Sequence, residues 1–149
     1  MTAQPRKIWQ NQAFTVSHAD GTGIAHDEMG VKSGFEGGLR AFFEYRDLGI
    51  KTASEGAYGA HVIRAIPGRH AEPQWHTHDL NFQMIYILKG WVIFEYEGAG
   101  KVTFRAGSAA LQPPGIKHRE VRHSDDLELI EITSPASFET ALTDPPGDA

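Results

Sequence analysis

The sequence predicts an all-β fold made of many short strands. Sixteen glycines and eight prolines punctuate a chain of 149 residues, and the apolar segments between them run to roughly five to eight residues, a length that suits strands better than helices. Gln74-Trp75-His76-Thr77-His78 reads as an extended run, in which every second side chain falls on one face. At this length one domain suffices, large enough to bury roughly two-thirds of the surface its unfolded form exposes.

Each element follows from its local sequence. Residues 1–40 are glycine-rich, polar and weakly periodic, which predicts an extended arm with one or two short strands. Such a segment buries no core of its own and suits the covering of a sheet edge, this chain's or a partner's. The folded body is expected over residues 41–135. It starts with a strand at Ala41–Arg46, a loop at Lys51–Gly56 and a strand at Tyr58–Ile66. Gln83–Leu88 and Trp91–Tyr96 read as a strand pair joined through Lys89-Gly90, a turn signal. Pro113-Pro114-Gly115 is a rigid turn, since the prolines fix φ and the glycine permits a positive one. After a turn at Ser124-Asp125-Asp126, Leu127–Ser134 reads as the closing strand. Ser134-Pro135 then has the form of an N-cap with proline at the first helical position, predicting a short helix to Leu142 and a frayed tail to Ala149. No internal repeat or low-complexity tract interrupts this order.

Composition removes several classes of function. The net charge is −5 with dispersed basic residues, so the chain lacks the electrostatic footprint of a nucleic-acid binder. There is no cysteine, which excludes disulfides and thiolate ligands and agrees with a reducing compartment. The first residues are too polar for a signal-peptide core, and no apolar run approaches membrane-spanning length. A cytoplasmic location is expected.

Two segments carry the chemistry. His76 and His78, two apart on an extended run, point to one side, and Gln83 starts the next strand beside them. His118 arrives from a separate strand after the rigid turn. Three imidazoles and an amide oxygen suit a first-row divalent ion such as Zn, Ni, Mn or Fe. If all four bind, the ligands are neutral and the ion keeps its full positive charge, which favours Lewis-acid over redox chemistry, although three histidines also hold iron.

These residues carry a family resemblance. Gly68…His76-Thr77-His78, four residues, Gln83, six residues, Gly90, followed by Gly107, five residues, Pro113-Pro114-Gly115, two residues, His118, closely resembles the two motifs of the cupin superfamily. The resemblance covers residues 57–135. It implies a small antiparallel jelly-roll barrel with a metal inside, held by His76, His78, Gln83 and His118. Two positions depart from the usual pattern: Gln83 replaces a ligand glutamate, and Arg122 stands where an asparagine often follows the last histidine. The glutamine-containing ligand set is similar to that of cupins that open pectin-derived uronate rings and of polyketide-cyclase cupins.

Other residues are weighed on strand parity. Glu131 shares a face with Leu127, Leu129 and Thr133 and resembles the acidic residue of the uronate-opening cupins, which makes it the candidate acid or base; the alternative is an outer-face ion pair with Arg64 or Lys89. Arg122 has the parity of His118, so it enters the barrel mouth to bind a substrate carboxylate or lies solvated outside. His61 reaches the cavity or is an ordinary core histidine. His18, His26 and His70 are expected at the surface, and His123, of opposite parity to His118, faces away from the site. Tyr86 and Trp75 should pack outside, joined by Trp91 and Tyr96 wherever they fall, leaving an apolar outer sheet suited to a homodimer.

Two functional classes remain open. One is a small metalloenzyme that uses metal-assisted proton transfer on an oxygen-rich anionic metabolite, as an isomerase, cyclase or lyase, with an iron-dependent dioxygenase as the variant within that class. The other is a sensor barrel that binds a small ligand without chemistry. Fold alone does not choose between them.

Overall fold

A computed structural model describes residues 8–38 and 40–147. The elements run β1 (Ile8–Trp9), β2 (Gln12–Ala13), α1 (Ile24–Asp27), β3 (Glu36–Gly37), β4 (Phe43–Asp47), α2 (Ile50–Ala53) and β5 (Gly59–Ala65). They continue with β6 (His76–Asp79), β7 (Phe82–Lys89), β8 (Trp91–Tyr96), β9 (Gly100–Arg105), β10 (Ala109–Leu111), β11 (His118–His123), β12 (Glu128–Ser134) and β13 (Glu139–Leu142). Apart from the β1–β2 hairpin, two antiparallel sheets carry the fold, in the orders β10-β7-β12-β5-β4-β3 and β13-β6-β11-β8-β9. Their inner faces meet in one core: Ile63, Ile85, Ile87 and Leu129 from the first sheet pack with Val92, Tyr96 and Phe104 from the second. This is an all-β jelly-roll architecture. No helix among the described residues is long and apolar enough to cross a membrane.

The β7–β8 turn shows why a glycine is needed where the motif has one. Gly90 has φ +74°, and a Cβ there would lie 3.0 Å from the Leu127 Cα, so both backbone conformation and space exclude a side chain. That close approach locks the turn against the start of β12.

Three local expectations need revision. The segment expected as a loop at Lys51–Gly56 contains the single helical turn α2. Residues 8–38 are more structured than an extended arm: Ala25, Met29 and Val31 form a small buried cluster with Ala53 of α2, and β3 pairs with β4 at the edge of the first sheet. The hairpin turn at Gln10-Asn11 holds both residues at positive φ, the geometry of a type I′ turn. The C-terminal helix is absent. Ser134 is the last residue of β12; its carbonyl accepts from Asn81 N at 2.7 Å and its hydroxyl donates to the Ala57 carbonyl at 2.8 Å, so no hydroxyl is left to cap a helix. Residues 139–142 form β13 and pair with β6 along its full length, and Thr143 N bonds the Trp75 carbonyl at 2.9 Å. Tertiary strand pairing overrides the local cap signal. The last two residues of the expected frayed tail lie outside the described residues.

Candidate metal centre

His76 and His78 occupy alternate inward positions of β6, and His118 starts β11 directly opposite His76. Their ring centroids are 4.2 to 5.0 Å apart, and one nitrogen from each lies within 4.8 Å of the others. All three are buried.

The second layer orients these rings. His76 Nδ1 is 2.8 Å from the Gln74 carbonyl and His118 Nδ1 is 3.0 Å from the Ile116 carbonyl. A carbonyl only accepts, so each Nδ1 carries its proton and each Nε2 presents a lone pair, that of His76 accepting from Arg40 Nη2 at 3.2 Å when no metal is bound. His78 Nδ1 pairs with the Thr140 hydroxyl of β13 at 2.8 Å. Burial is the main force lowering the basicity of all three, taking His76 to about 4 and His78 to about 3; Arg40 adds to it at each, and neighbouring histidines add to it at His76 and His78. Neutral imidazoles, with Nδ1 anchored and their other nitrogens gathered, fit a divalent transition ion. His76, His78 and His118 would hold it.

Gln83, 3% exposed, sits at the start of β7. Its Nε2 donates to Glu131 Oε2 at 3.1 Å, which commits the amide nitrogen to Glu131 and leaves its carbonyl oxygen available as a further donor atom. Glu131 lies on β12 between His61 of β5 and Ile85 of β7 and lines the cavity rather than the outer surface. Arg64, the alternative partner outside, pairs with Glu44 instead at 2.8 Å. Burial raises the Glu131 pKa, and the Gln83 hydrogen bond opposes that rise. Such a carboxyl is suited to taking up and releasing a proton.

The cavity around these groups has a volume of about 590 Å³, within the range of small-molecule sites. His61 is part of its wall and stands edge-on to Tyr45, with centroids 6.4 Å apart. Burial lowers the His61 pKa. Phe138, just before β13, closes on His78 with centroids 5.3 Å apart.

Arg122 does not enter the cavity. It is exposed, with its guanidinium 5.8 Å from the Trp91 ring centroid. The reason is a β-bulge: β11 pairs Glu120 with Phe94 but Arg122 with Ile93, leaving Val121 as the extra residue. A bulge reverses the alternation that follows it. The same reversal turns His123 inward, against the expectation from parity. Its ring stacks near Phe42 and Phe43, at 5.7 and 5.2 Å, and its Nδ1 is 3.3 Å from Glu120 Oε1. His18 and His70 are exposed, while His26 is half-buried between the Ser17 hydroxyl and the Val31 carbonyl.

Three residues of the site escaped sequence reasoning. Arg40 belongs to the segment before β4, and its Nη2 lies 3.2 Å from His76 Nε2; nothing periodic marks it. Glu120 lines the cavity, and its parity with His118, two residues earlier, was a usable signal. Tyr96 faces inward, stacked 5.8 Å from His118, and its hydroxyl donates to Gln112 Oε1 at 2.6 Å. Tyr86 is 42% exposed on the outer face, and Trp75 lies against Arg119, 4.9 Å from its guanidinium.

Residues 62–133 match the cupin domain family. No curated protein matches the chain closely enough in sequence to count as a relative. Among solved structures, KdgF from Halomonas sp. is 21% identical with a TM-score of 0.53, over 68% of this chain and 87% of that one. Fe(II)-HppE with the alternative substrate (S)-1-HPP is 11% identical with a TM-score of 0.54, over 67% of this chain and 55% of that one. The formate complex of Lactobacillus farciminis oxalate decarboxylase is 14% identical with a TM-score of 0.56, over 72% of this chain and 33% of that one. At these identities the likeness is one of fold.

Proposed function

The chain is a small cupin-domain protein, and from that premise we propose that it is a metalloenzyme moving a proton on an oxygen-rich anionic metabolite, as an isomerase, cyclase or lyase. The observation that carries this reading is the placement of Glu131: a carboxyl with a raised pKa lines the same cavity as three clustered histidines and is hydrogen-bonded to Gln83. When bound at His76, His78 and His118, with Gln83 as a fourth donor, a divalent ion supplies Lewis acidity toward a ligand oxygen. Glu131 removes or returns a proton on the carbon that bears that oxygen, where it is a hydroxyl, or on the neighbouring carbon, where it is a carbonyl. The Gln83 amide keeps the carboxylate aimed at the cavity, and His61 and Tyr45 form the adjoining wall. Two proteins similar to this chain in fold, HppE with Fe(II) and an oxalate decarboxylase complexed with formate, support this reading.

The test is solvent-deuterium incorporation into small 2-oxo and 2-hydroxy acids by the metal-loaded protein. Wild type should incorporate deuterium about 10²- to 10⁴-fold faster than Glu131→Gln, the usual worth of a positioned acid or base. Equal rates refute the assignment. Oxygen consumption by the iron form would instead support a dioxygenase, and binding without either reaction a sensor.

The assembly that fits this chain is a homodimer. Phe82, Tyr86 and Leu88 alternate along the outer face of β7 and are 37 to 43% exposed, and Leu111 on the neighbouring edge strand β10 is 63% exposed. This is apolar surface that a second copy would cover, and Ile8, Trp9 and Phe14 of the N-terminal segment are also more than half exposed.

A further inference from the structure

Among the described residues no carboxylate forms an ion pair with Arg40. Its guanidinium reaches the histidine cluster, 3.2 Å from His76 Nε2, and lines the cavity. Lys32, Arg64 and Arg119 have carboxylate partners in Glu36, Glu44 and Glu95, while Arg46, Arg69 and Arg122 contact Ser17, the Ala41 carbonyl and Trp91 away from the histidine cluster. Arg40 is the arginine that lines the cavity. Glu131 occupies the wall of the same cavity but bonds Gln83, not Arg40. Five carboxylates also line this cavity, Glu120 and Glu131 among them, but none is in ion-pair contact with the Arg40 guanidinium, whose remaining N–H groups are left for an anion.

We propose that Arg40 is the residue that recognises the ligand, taking the carboxylate of a small 2-oxo or 2-hydroxy acid and holding it beside the histidine cluster. A planar guanidinium offers two parallel N–H groups to a carboxylate, a geometry that a lysine ammonium cannot reproduce. The second oxygen, on the adjacent carbon, then lies toward the histidines, and the hydrogen on that carbon or its neighbour toward Glu131. The inference rests on the metal-centre reading for its choice of acid, but Arg40 itself supplies the anion site.

The experiment is calorimetric titration of wild type, Arg40→Gln and Arg40→Lys with glycolate, pyruvate, methyl glycolate and inorganic phosphate, each on Co(II)-loaded and on metal-free protein, with metal content measured in every sample. Glycolate and pyruvate should bind the loaded wild type. Arg40→Gln should weaken them about ten- to a hundredfold, the scale of a lost charge-assisted hydrogen bond, with Co(II) content unchanged; Arg40→Lys should fall between. Methyl glycolate should bind no better to wild type than to Arg40→Gln. Unchanged acid affinity in Arg40→Gln overturns the inference, as does equal binding of the neutral ester, tighter binding of phosphate than of either acid, or loss of Co(II) in Arg40→Gln. Failure of wild type to take up Co(II) strikes the metal-centre reading instead, and the metal-free titrations still decide whether acids bind in an Arg40-dependent way.

Discussion

Gln83 and Glu131, on neighbouring strands of one sheet, are joined by a 3.1 Å hydrogen bond from the amide to the carboxylate. The bond fixes two functions at once: it orients the carboxyl into the cavity and decides which end of the amide is free. It also opposes the rise in the Glu131 pKa that burial causes.

The raised pKa has a consequence for stability. Above the unfolded value of 4.5, the folded state holds its Glu131 proton longer than the unfolded state does, so the group makes stability fall as pH rises. Glu131→Gln removes that dependence. The variant should match wild type near pH 4 and become the more stable of the two as pH climbs toward neutrality, in denaturant melts of metal-free protein. A stability difference that does not change with pH would show that the Glu131 carboxyl is not perturbed.

Thr140 should matter to the metal although it holds none. Its hydroxyl meets His78 Nδ1 at 2.8 Å, and outer partners of this kind are typically worth about 10- to 100-fold in metal affinity. Thr140→Val should lower affinity by that much in a chelator competition while the fold is kept. An unchanged affinity would make the contact incidental.

Glu120 and His123 form a buried pair, their side chains 8% and 1% exposed, and neither has a hydrogen-bond partner among the described residues. Where the imidazole carries a second proton the two form an ion pair, and removing one member of a buried ion pair strands the other, at about 3–5 kcal/mol, whereas replacing both with apolar groups is often neutral or stabilising. Glu120→Leu and His123→Leu should each destabilise, and the double variant should recover most of the loss, as a double-mutant cycle in urea reads directly. Simple additivity would mean the two side chains act independently.

The outer face should control assembly. Replacing Tyr86 and Leu111, 42% and 63% exposed, by lysine should convert a dimer to a monomer in sedimentation at high micromolar concentration with the circular dichroism unchanged. A wild type that is monomeric at that concentration contradicts the proposed dimer.

The parts of the site legible in the sequence are those where strict alternation holds. His76 and His78 share a face because β6 is regular, and Glu131 shares one with Leu129 and Thr133 because β12 is. Alternation failed at Val121, where one extra residue exchanged the faces of Arg122 and His123; a bulge leaves no mark in residue type. The Ser134-Pro135 cap signal was genuine local chemistry overruled by pairing with β6. Arg40 was invisible for a different reason: it lies in an aperiodic segment, and only the fold brings it 36 residues along the chain to His76.

The most direct test of the metal centre is metal content after reconstitution, on protein purified without a histidine tag. Each chain should bind close to one equivalent of a divalent transition ion through His76, His78 and His118, and a His76→Ala, His118→Ala double variant should bind none. Less than about a tenth of an equivalent in wild type, against the affinity expected of clustered imidazoles, or uptake that survives loss of both histidines, would contradict the account.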